Sequence, residues 1–210
     1  MYNPFWRFVG RLTDLVWLNI LTLICCIPVF TAGAAISAMY RVLIFMTLKQ
    51  DSGVTKMFFK SFKENFKDAT IVWIPSFLIL AVLFSNGYLI YHGVLDSYVG
   101  LLKASGISIG IITAIVIMFL CYVLPMISRY DSDVKTNVKN AFLLMLAYFP
   151  RSFCLLVICI SPIALMMLSN IFLVLWFLYG LSFPGYVNAM LLSNIFVKTE
   201  GVTSNGQGEI

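Results

Sequence analysis

Two ionisable residues interrupt apolar segments of this sequence, and an ionisable residue inside a membrane is the first place to look for chemistry. Asp14 lies near the start of the first apolar segment, and Arg41 lies partway along the second. If these segments form a helical hairpin that turns at Val29–Phe30, the two residues differ in height by about 5 Å, which an arginine side chain can span. The sequence therefore predicts an Asp14–Arg41 ion pair, which would either lock the hairpin or act as a gate or ion-coupling site.

A lysine-rich segment, Val54–Asp68, is the clearest motif in the sequence. Aromatic residues recur at every fourth position along one side of the predicted helix, and lysines occupy the opposite side. The residues concerned are Phe58, Phe62, Phe66, Lys56, Lys60, Lys63 and Lys67. This pattern predicts an amphipathic helix in the membrane interface, with its aromatic side in lipid and its lysines toward phosphates or water. The helix would be either a passive connection to the next span or a docking surface for a partner.

The same pattern occurs a second time in Val134–Phe149. Each matching position stands 80 residues after its counterpart, so that Asp131-Ser132 corresponds to Asp51-Ser52, which we expect to cap the first helix. The apolar stripes correspond in the same way: Val134, Val138, Phe142 and Leu146 match Val54, Phe58, Phe62 and Phe66. Duplication, a shared physical need and chance would each explain so short a repeat.

Composition places these motifs in a membrane protein. Of the 210 residues, 61% are hydrophobic and 11% are charged, whereas soluble domains have about 45–50% and about 25%. One soluble core of this size could not bury so much apolar surface, but lipid can solvate it. We therefore predict an all-α membrane protein, in which residues 1–198 form one polytopic domain and residues 199–210 form a disordered cytoplasmic tail.

Six transmembrane helices and the two amphipathic interfacial helices make up the predicted architecture. A crossing needs about 20 apolar residues, and the candidate segments are Leu12–Ile27, Ala32–Leu48, Ala69–Tyr91, Gly106–Ile127, Ser152–Leu168 and Ile171–Val197. The first two segments could instead be one long helix, which would leave five crossings. Pro28 favours a hairpin because proline interrupts the helical hydrogen-bond ladder, and Thr31 is a candidate N-cap for the second helix.

Small residues spaced by four mark expected helix contacts, because they let two membrane helices approach closely. Three such pairs occur: Gly33/Ser37, Ala34/Ala38 and Gly106/Gly110. The first two pairs lie on the second segment of the predicted hairpin.

The placement of charge orients the protein. The net charge is +5, and the basic residues cluster at the ends of apolar segments, which indicates the positive-inside pattern rather than a nucleic-acid surface. With six crossings, both termini are cytoplasmic and nearly every basic residue faces the cytoplasm. With five crossings, Arg7 and Arg11 would move outside, so six is the favoured count.

The sequence offers little for catalysis. It has a single histidine, and its five cysteines lie inside apolar segments, where they are expected to be small buried hydrophobes. No phosphate-binding loop, nucleophile motif or metal-ligand cluster is present. We therefore predict a protein that is not an enzyme and that binds no cofactor or metal.

Several blocks of residues resemble one family. They are Asn3-Pro4-Phe5-Trp6-Arg7-Phe8, Cys25-Cys26-Ile27-Pro28-Val29, Ser61-Phe62-Lys63-Glu64-Asn65-Phe66-Lys67 and Arg129-Tyr130-Asp131. With them the chain resembles the YesL-like family, the bacterial domain of unknown function 624. The resemblance implies a small multi-pass protein of the bacterial cell membrane, whose genes tend to lie near carbohydrate-uptake ABC transporters and glycoside hydrolases. No catalytic residues are established for the family, so none is carried over.

Two functional hypotheses follow from the residues and the resemblance together. The first is an accessory or regulatory membrane subunit of a carbohydrate-uptake ABC transporter, with the permease subunits, the lipid bilayer and a second copy of the chain as candidate partners. The second is a self-sufficient transporter or channel for a small solute. The residues expected at partner contacts, or in structural roles near them, are Arg7, Arg11, Asp14, Arg41, Lys56, Phe58, Lys60, Phe62, Lys63, Phe66, Arg129 and Asp131.

Overall fold

The computed structural model describes residues 4–48, 53–92, 99–130, 132–166 and 177–192. Throughout these ranges the regular structure is helical, and no β-strand occurs in them. The all-α fold predicted from composition and apolar periodicity is therefore confirmed.

The first two apolar segments form a hairpin, as predicted. Helix α1 spans Pro4–Cys26, a 3-10 turn follows at Val29–Thr31, and helix α2 spans Ala32–Thr47. Thr31 is the N-cap of α2, but its hydroxyl makes no capping bond to that helix. It donates instead to the carbonyl oxygens of Cys25 at 2.6 Å and Pro28 at 2.7 Å. The Pro28 carbonyl already accepts the Thr31 backbone N–H at 3.0 Å, so the hydroxyl chiefly serves the Cys25 carbonyl, which is left free at the end of α1 where Pro28 has stopped the ladder.

Helix α2 is the most buried element, because its small residues let other helices approach closely. Ala34 and Ala38 are fully buried. A Cβ added to Gly33 would collide with the Trp73 side chain of the third helix. The Ser37 hydroxyl donates to the Leu124 carbonyl at 3.3 Å. The predicted small-residue contacts of α2 are therefore confirmed.

The other predicted small-residue contact is wrong. A Cβ added to Gly106 or to Gly110 would meet nothing within 4 Å. These two glycines lie in helix α4, Val99–Arg129, on a part of it that leaves them without close neighbours in the described chain.

Helix α3 is one continuous helix of 38 residues, Val54–Tyr91. The sequence predicted an interfacial helix followed by a separate span, and this division is wrong. Pro75 lies within α3 without ending it. At 1.5 Å per residue the helix is about 57 Å long, whereas the hydrocarbon layer is about 30 Å thick. An upright α3 would therefore project well beyond the hydrocarbon, and its lysine-rich first turns are the part suited to do so.

The second amphipathic segment forms a separate helix. Helix α4 spans Val99–Arg129, α5 spans Val134–Ala147, and α6 spans Phe149–Met166, with α5 and α6 bent by 100°. Pro150 has no N–H to continue the ladder, and its ring crowds the preceding turn, which explains the break. The two copies of the repeat therefore agree in where their helices begin, since α3 and α5 start at matching positions. They differ afterwards, because the first copy continues straight into the next span and the second bends sharply before it.

Four described helices are long and apolar enough to cross a membrane, and a fifth crossing results if the bent α5–α6 pair is one span. The sixth predicted span falls on a stretch of which only residues 177–192 are described; there, 177–179 and 182–192 are helical. The capping residues Asp51-Ser52, Asp131 and the predicted tail 199–210 lie outside the described residues.

The tip of the α1–α2 hairpin reaches only partway along α3 and α4. The Trp73 indole N–H donates to the Val29 carbonyl at 2.8 Å, and α3 continues from Trp73 to Tyr91, which is about 27 Å. Trp73 also lines a cavity together with Ile117 of α4, which is a similar distance from the start of that helix. The tip itself is apolar and exposed, and Ile27 retains 77% of its accessible surface.

Candidate functional site

A buried asparagine holds together a break in the last described helix. The helical residues 177–179 and 182–192 are separated by a turn at 180–181. Asn19 of α1 is fully buried beside this turn. Its side-chain oxygen accepts the backbone N–H groups of Leu181 and Ser182, both at 3.0 Å, and its amide donates to the Phe177 carbonyl at 2.7 Å. Asn19 therefore satisfies backbone groups that an unbroken helix would have paired internally.

The break has a local cause in the sequence. Pro184 has no N–H with which to bond the carbonyl four residues earlier, and Gly180 tolerates the turn conformation. The helix then resumes against α2. A Cβ on Gly185 would lie 2.9 Å from Leu43 Cδ1 and 3.0 Å from Met39 Cε, so glycine lets the ends of these two flexible side chains pack directly on the helix backbone.

A second polar cluster lies between this helix, α2, α4 and α6. The Asn188 amide donates to the Tyr40 hydroxyl at 2.8 Å and, at 3.4 Å, to the Cys121 carbonyl. The thiol sulfurs of Cys121 and Cys159 are 3.4 Å apart. The Asn188 side-chain oxygen is buried and has no hydrogen-bond partner in the described chain. Of these groups, the sequence analysis identified only the cysteines, because the pattern of apolar and polar residues does not indicate which helices contact one another.

A small cavity adjoins this cluster, with a volume of about 170 Å³. Its lining is mostly apolar and includes Trp73, Ile117, Leu120, Leu181 and Pro184, with Tyr40 and the two thiols as the polar contributors. Small-molecule sites usually measure about 300–1,000 Å³ and place several polar groups around the ligand. A sugar, with a hydroxyl on most of its carbons, would leave many hydrogen bonds unmade here.

The predicted Asp14–Arg41 pair is replaced by a different one. A guanidinium nitrogen of Arg41 lies 3.5 Å from a carboxylate oxygen of Glu64 in α3, and Lys60 lies 3.9 Å from the other oxygen of Glu64. Asp14 is exposed on α1. The prediction considered only the two helices of the hairpin. In the structure α3 packs along α2 and places Glu64 beside Arg41.

The aromatic side of the lysine-rich segment faces protein rather than lipid, so this prediction is wrong. Phe58 is fully buried, and the rings of Phe58, Phe62 and Phe66 follow one another at centroid distances of 6.3 Å and 5.6 Å. The hairpin supplies the covering surface: the Trp17 indole of α1, for example, donates to the Thr55 hydroxyl at 2.8 Å.

The lysines of this segment are exposed, as predicted. Lys56, Lys60, Lys63 and Lys67 all lie on the outer side of α3. Because the opposite face is embedded in the core, the lysine face is carried on a rigid support. It is the most strongly charged surface that one described helix presents.

Helix α5 differs from the first copy of the repeat in the face that it buries. Asn137, Ala141 and Met145 are buried, and the Asn137 amide donates to the Ser132 carbonyl at 3.1 Å. Phe142 and Leu146, which belong to the predicted stripe, are exposed by about half. The apolar face of α5 is therefore shared between the core and the surroundings.

The remaining predicted residues do not form a common site among the described residues. Arg11 is exposed on α1, the Arg7 side chain lies outside the described structure, and so does Asp131. Arg129, at the end of α4, lies over the Tyr130 ring at 5.7 Å. Arg129 and Arg41 line one pocket, a proximity that the sequence did not predict.

Fold and site together define a polytopic α-helical membrane protein with a packed polar core and a lysine-rich helix face. Residues 15–87 match a family model described as a protein of unknown function, DUF624. This match covers the second half of α1, all of α2 and most of α3, and over that part of the chain it bears out the family resemblance inferred from the sequence. No curated protein and no solved structure matches the chain significantly.

Proposed function

We propose that this protein is a non-enzymatic accessory or regulatory subunit in the bacterial cell membrane, associated with a carbohydrate-uptake ABC transporter. The observation that carries the proposal is the lysine face of α3, defined by Lys56, Lys60, Lys63 and Lys67, which is exposed while the opposite face is anchored by Phe58. A rigid basic surface of this kind suits an acidic protein partner, because complementary charge speeds association and selects the partner. The link to carbohydrate uptake rests on the family resemblance alone.

The positive-inside bias supports an orientation for this surface. Arg41 contacts Glu64, and Arg41 and Arg129 line one pocket, so the lysine-rich part of α3 and the ends of α2 and α4 lie at one end of the bundle, here called the basic end. An excess of lysine and arginine marks the cytoplasmic side of membrane proteins. We therefore place the basic end and both termini in the cytoplasm, where the ATPase subunits of such a transporter also act.

The alternative is a self-sufficient transporter or channel for a small solute. A helix broken at 180–181 and the unpaired Asn188 oxygen favour it, since interrupted helices often flank substrate paths in transporters. The small, mostly apolar cavity and the way in which Asn19 closes the break weigh against a path for sugars. The accessory role is accordingly our first proposal.

The test is the recovery of partners after crosslinking in native membranes and mild extraction. We expect stoichiometric permease or ATPase subunits to co-purify with the unchanged chain. Substituting Lys56, Lys60 and Lys63 together by Glu should abolish this recovery, whereas substituting the same three lysines by Arg should preserve it. Equal membrane levels of all three proteins serve as the control for insertion.

Two results would count against the accessory role. If the variant with three glutamates still recovered the same partner subunits, the lysine face would not be part of the interface. Recovery of the chain alone, together with solute flux in liposomes that contain only this protein, would establish the transporter instead.

A further inference from the structure

A pair of thiols from two helices meets inside the bundle. The Sγ atoms of Cys121 in α4 and Cys159 in α6 lie 3.4 Å apart, within the distance of a thiol–thiol hydrogen bond. A disulfide holds its sulfurs about 2.0 Å apart, so the two atoms would have to approach by about 1.4 Å to form one. The pair is therefore close to the geometry of a covalent bridge between α4 and α6, and the proposed accessory role makes no use of it.

The surroundings of the pair decide which oxidants suit it. Both cysteines line the core cavity, together with apolar side chains such as Trp73 and Ile117. All four residues lie in helices that are long and apolar enough to cross a membrane, α6 as part of the bent pair. Trp73, Ile117 and Cys159 are half-buried, so the cavity lies near the outer surface of the bundle. A strongly polar oxidant would lose its hydration on entering such a place, whereas one that dissolves in lipid would not.

The cavity matches a small ring that carries a hydrogen-bond acceptor. Its volume is about 170 Å³, and a dry cavity of about 150 Å³ is large enough for benzene. Tyr40, which is 5% exposed, lines the cavity, and its hydroxyl accepts the Asn188 amide at 2.8 Å. The proton of that hydroxyl has no acceptor among the described residues, and an unsatisfied buried donor is unfavourable. A carbonyl oxygen on a bound ring would supply the acceptor.

A quinone combines these properties, because it is a lipid-soluble oxidant whose flat ring carries two carbonyl oxygens. We propose that the core cavity binds the ring of a membrane quinone, which oxidises Cys121 and Cys159 to a disulfide. In this step the two S–H bonds break and one S–S bond forms. The two electrons pass to the quinone, and the two protons pass to its carbonyl oxygens, so that a quinol leaves the cavity. The Tyr40 hydroxyl holds the ring by donating to one of these oxygens.

The bridge would make the packing of the bundle depend on the oxidation state of the membrane quinones. It would fix α6, which follows the 100° bend after α5, against α4. The lysine face of α3 takes no part in this chemistry. The thiol pair and the accessory role therefore stand or fall separately.

The experiment uses the purified full-length chain, reduced and then treated with decylubiquinone, whose fully substituted ring has no free position for thiol addition. The remaining thiols are alkylated in denaturant, and the bridge is located by peptide mass spectrometry. We expect three of the five cysteines to be alkylated and a linked Cys121–Cys159 peptide pair to appear. Cys154→Ala, which removes an exposed thiol of α6, is the matched control and should keep the bridge, whereas Cys159→Ala should lose it. Absence of the linked pair in the unchanged chain would overturn the proposal.

A variant of Tyr40 tests the cavity rather than the thiols. We expect Tyr40→Phe to slow oxidation by decylubiquinone about threefold to tenfold, as the loss of one hydrogen bond would. Oxidation of the same pair by diamide, a small oxidant that is not a quinone, should keep its rate in this variant. Equal slowing with both oxidants would show that Tyr40 acts only on the packing of the thiols, and would overturn its role in binding. Bridge formation with diamide but not with decylubiquinone would overturn the assignment of the cavity to a quinone.

Discussion

The Trp73 indole N–H donates to the Val29 carbonyl at 2.8 Å, and this bond joins the tip of the α1–α2 hairpin to the middle of α3. Beyond it, α3 and α4 continue without the hairpin, and their side chains there are largely exposed and apolar. The hairpin therefore lies beside the basic half of α3, where Trp17 and Arg41 contact Thr55 and Glu64, and its tip stops short of the far end of the α3–α4 pair.

The depth of the hairpin tip in a bilayer can be measured. We expect a spin label at Ile27 to report hydrocarbon, with high oxygen and low aqueous-nickel accessibility, because the tip is apolar and ends about 27 Å before the end of α3. A label at His92, which follows α3, should be accessible to aqueous nickel. Both labels belong in a cysteine-free background. Equal nickel accessibility at the two positions would mean that the hairpin crosses fully.

Replacing Asn19 by Leu should destabilise the protein by about 2–5 kcal/mol, because Leu181 N–H, Ser182 N–H and the Phe177 carbonyl would lose their partner in a buried setting. The free energy of unfolding can be followed by denaturing titration in mixed micelles. Asn86→Leu is the matched control: Asn86 is exposed on α3 and bonds only within its own helix, so little change is expected. Similar losses of unfolding free energy in both variants would show that Asn19 does not stabilise the break in the last described helix.

Replacing Gly33 by Ala should also destabilise the protein, by about 1–3 kcal/mol, because the new methyl group would press against Trp73 and the Ala69 carbonyl. Alanine favours a helix over glycine by about 1 kcal/mol, so helix propensity alone would make the variant more stable. A loss of stability would therefore show that the methyl group disturbs the packing. Gly87→Ala, in α3 with open space at the Cβ position, should instead be neutral or stabilising. Thermal unfolding of both variants in the same detergent makes the comparison.

The ion pair of Arg41 can be assigned by double-mutant cycles. Neutralising Arg41 and Glu64 singly and together should reveal a coupling of about 0.2–1 kcal/mol, since the side chains are 24% and 45% exposed. The corresponding cycle for Arg41 and Asp14 should be additive. A larger coupling with Asp14 than with Glu64 would restore the pair first expected from the hairpin alone.

Much of the architecture was determined by the sequence itself. Apolar periodicity and length specified helices, Pro28 located the turn of the hairpin, and the small residues Gly33, Ala34 and Ala38 identified the face of α2 that packs closely. The lysine face of α3 was also readable, because charged side chains avoid burial whatever the fold. These features depend on the backbone and on neighbours along one helix.

What only the tertiary structure decided was which helices meet. The sequence pattern places Phe58 in lipid, because an amphipathic pattern identifies an apolar face without identifying what covers it. It pairs Arg41 with Asp14 because the hairpin alone does not show that α3 brings Glu64 to Arg41. Asn19, Asn188 and the meeting of Arg41 with Arg129 involve residues far apart in the chain. Lipid and a protein core are equally apolar to a phenylalanine, so sequence hydrophobicity cannot distinguish them, and only the packing of α1, α2 and α4 around α3 makes the choice.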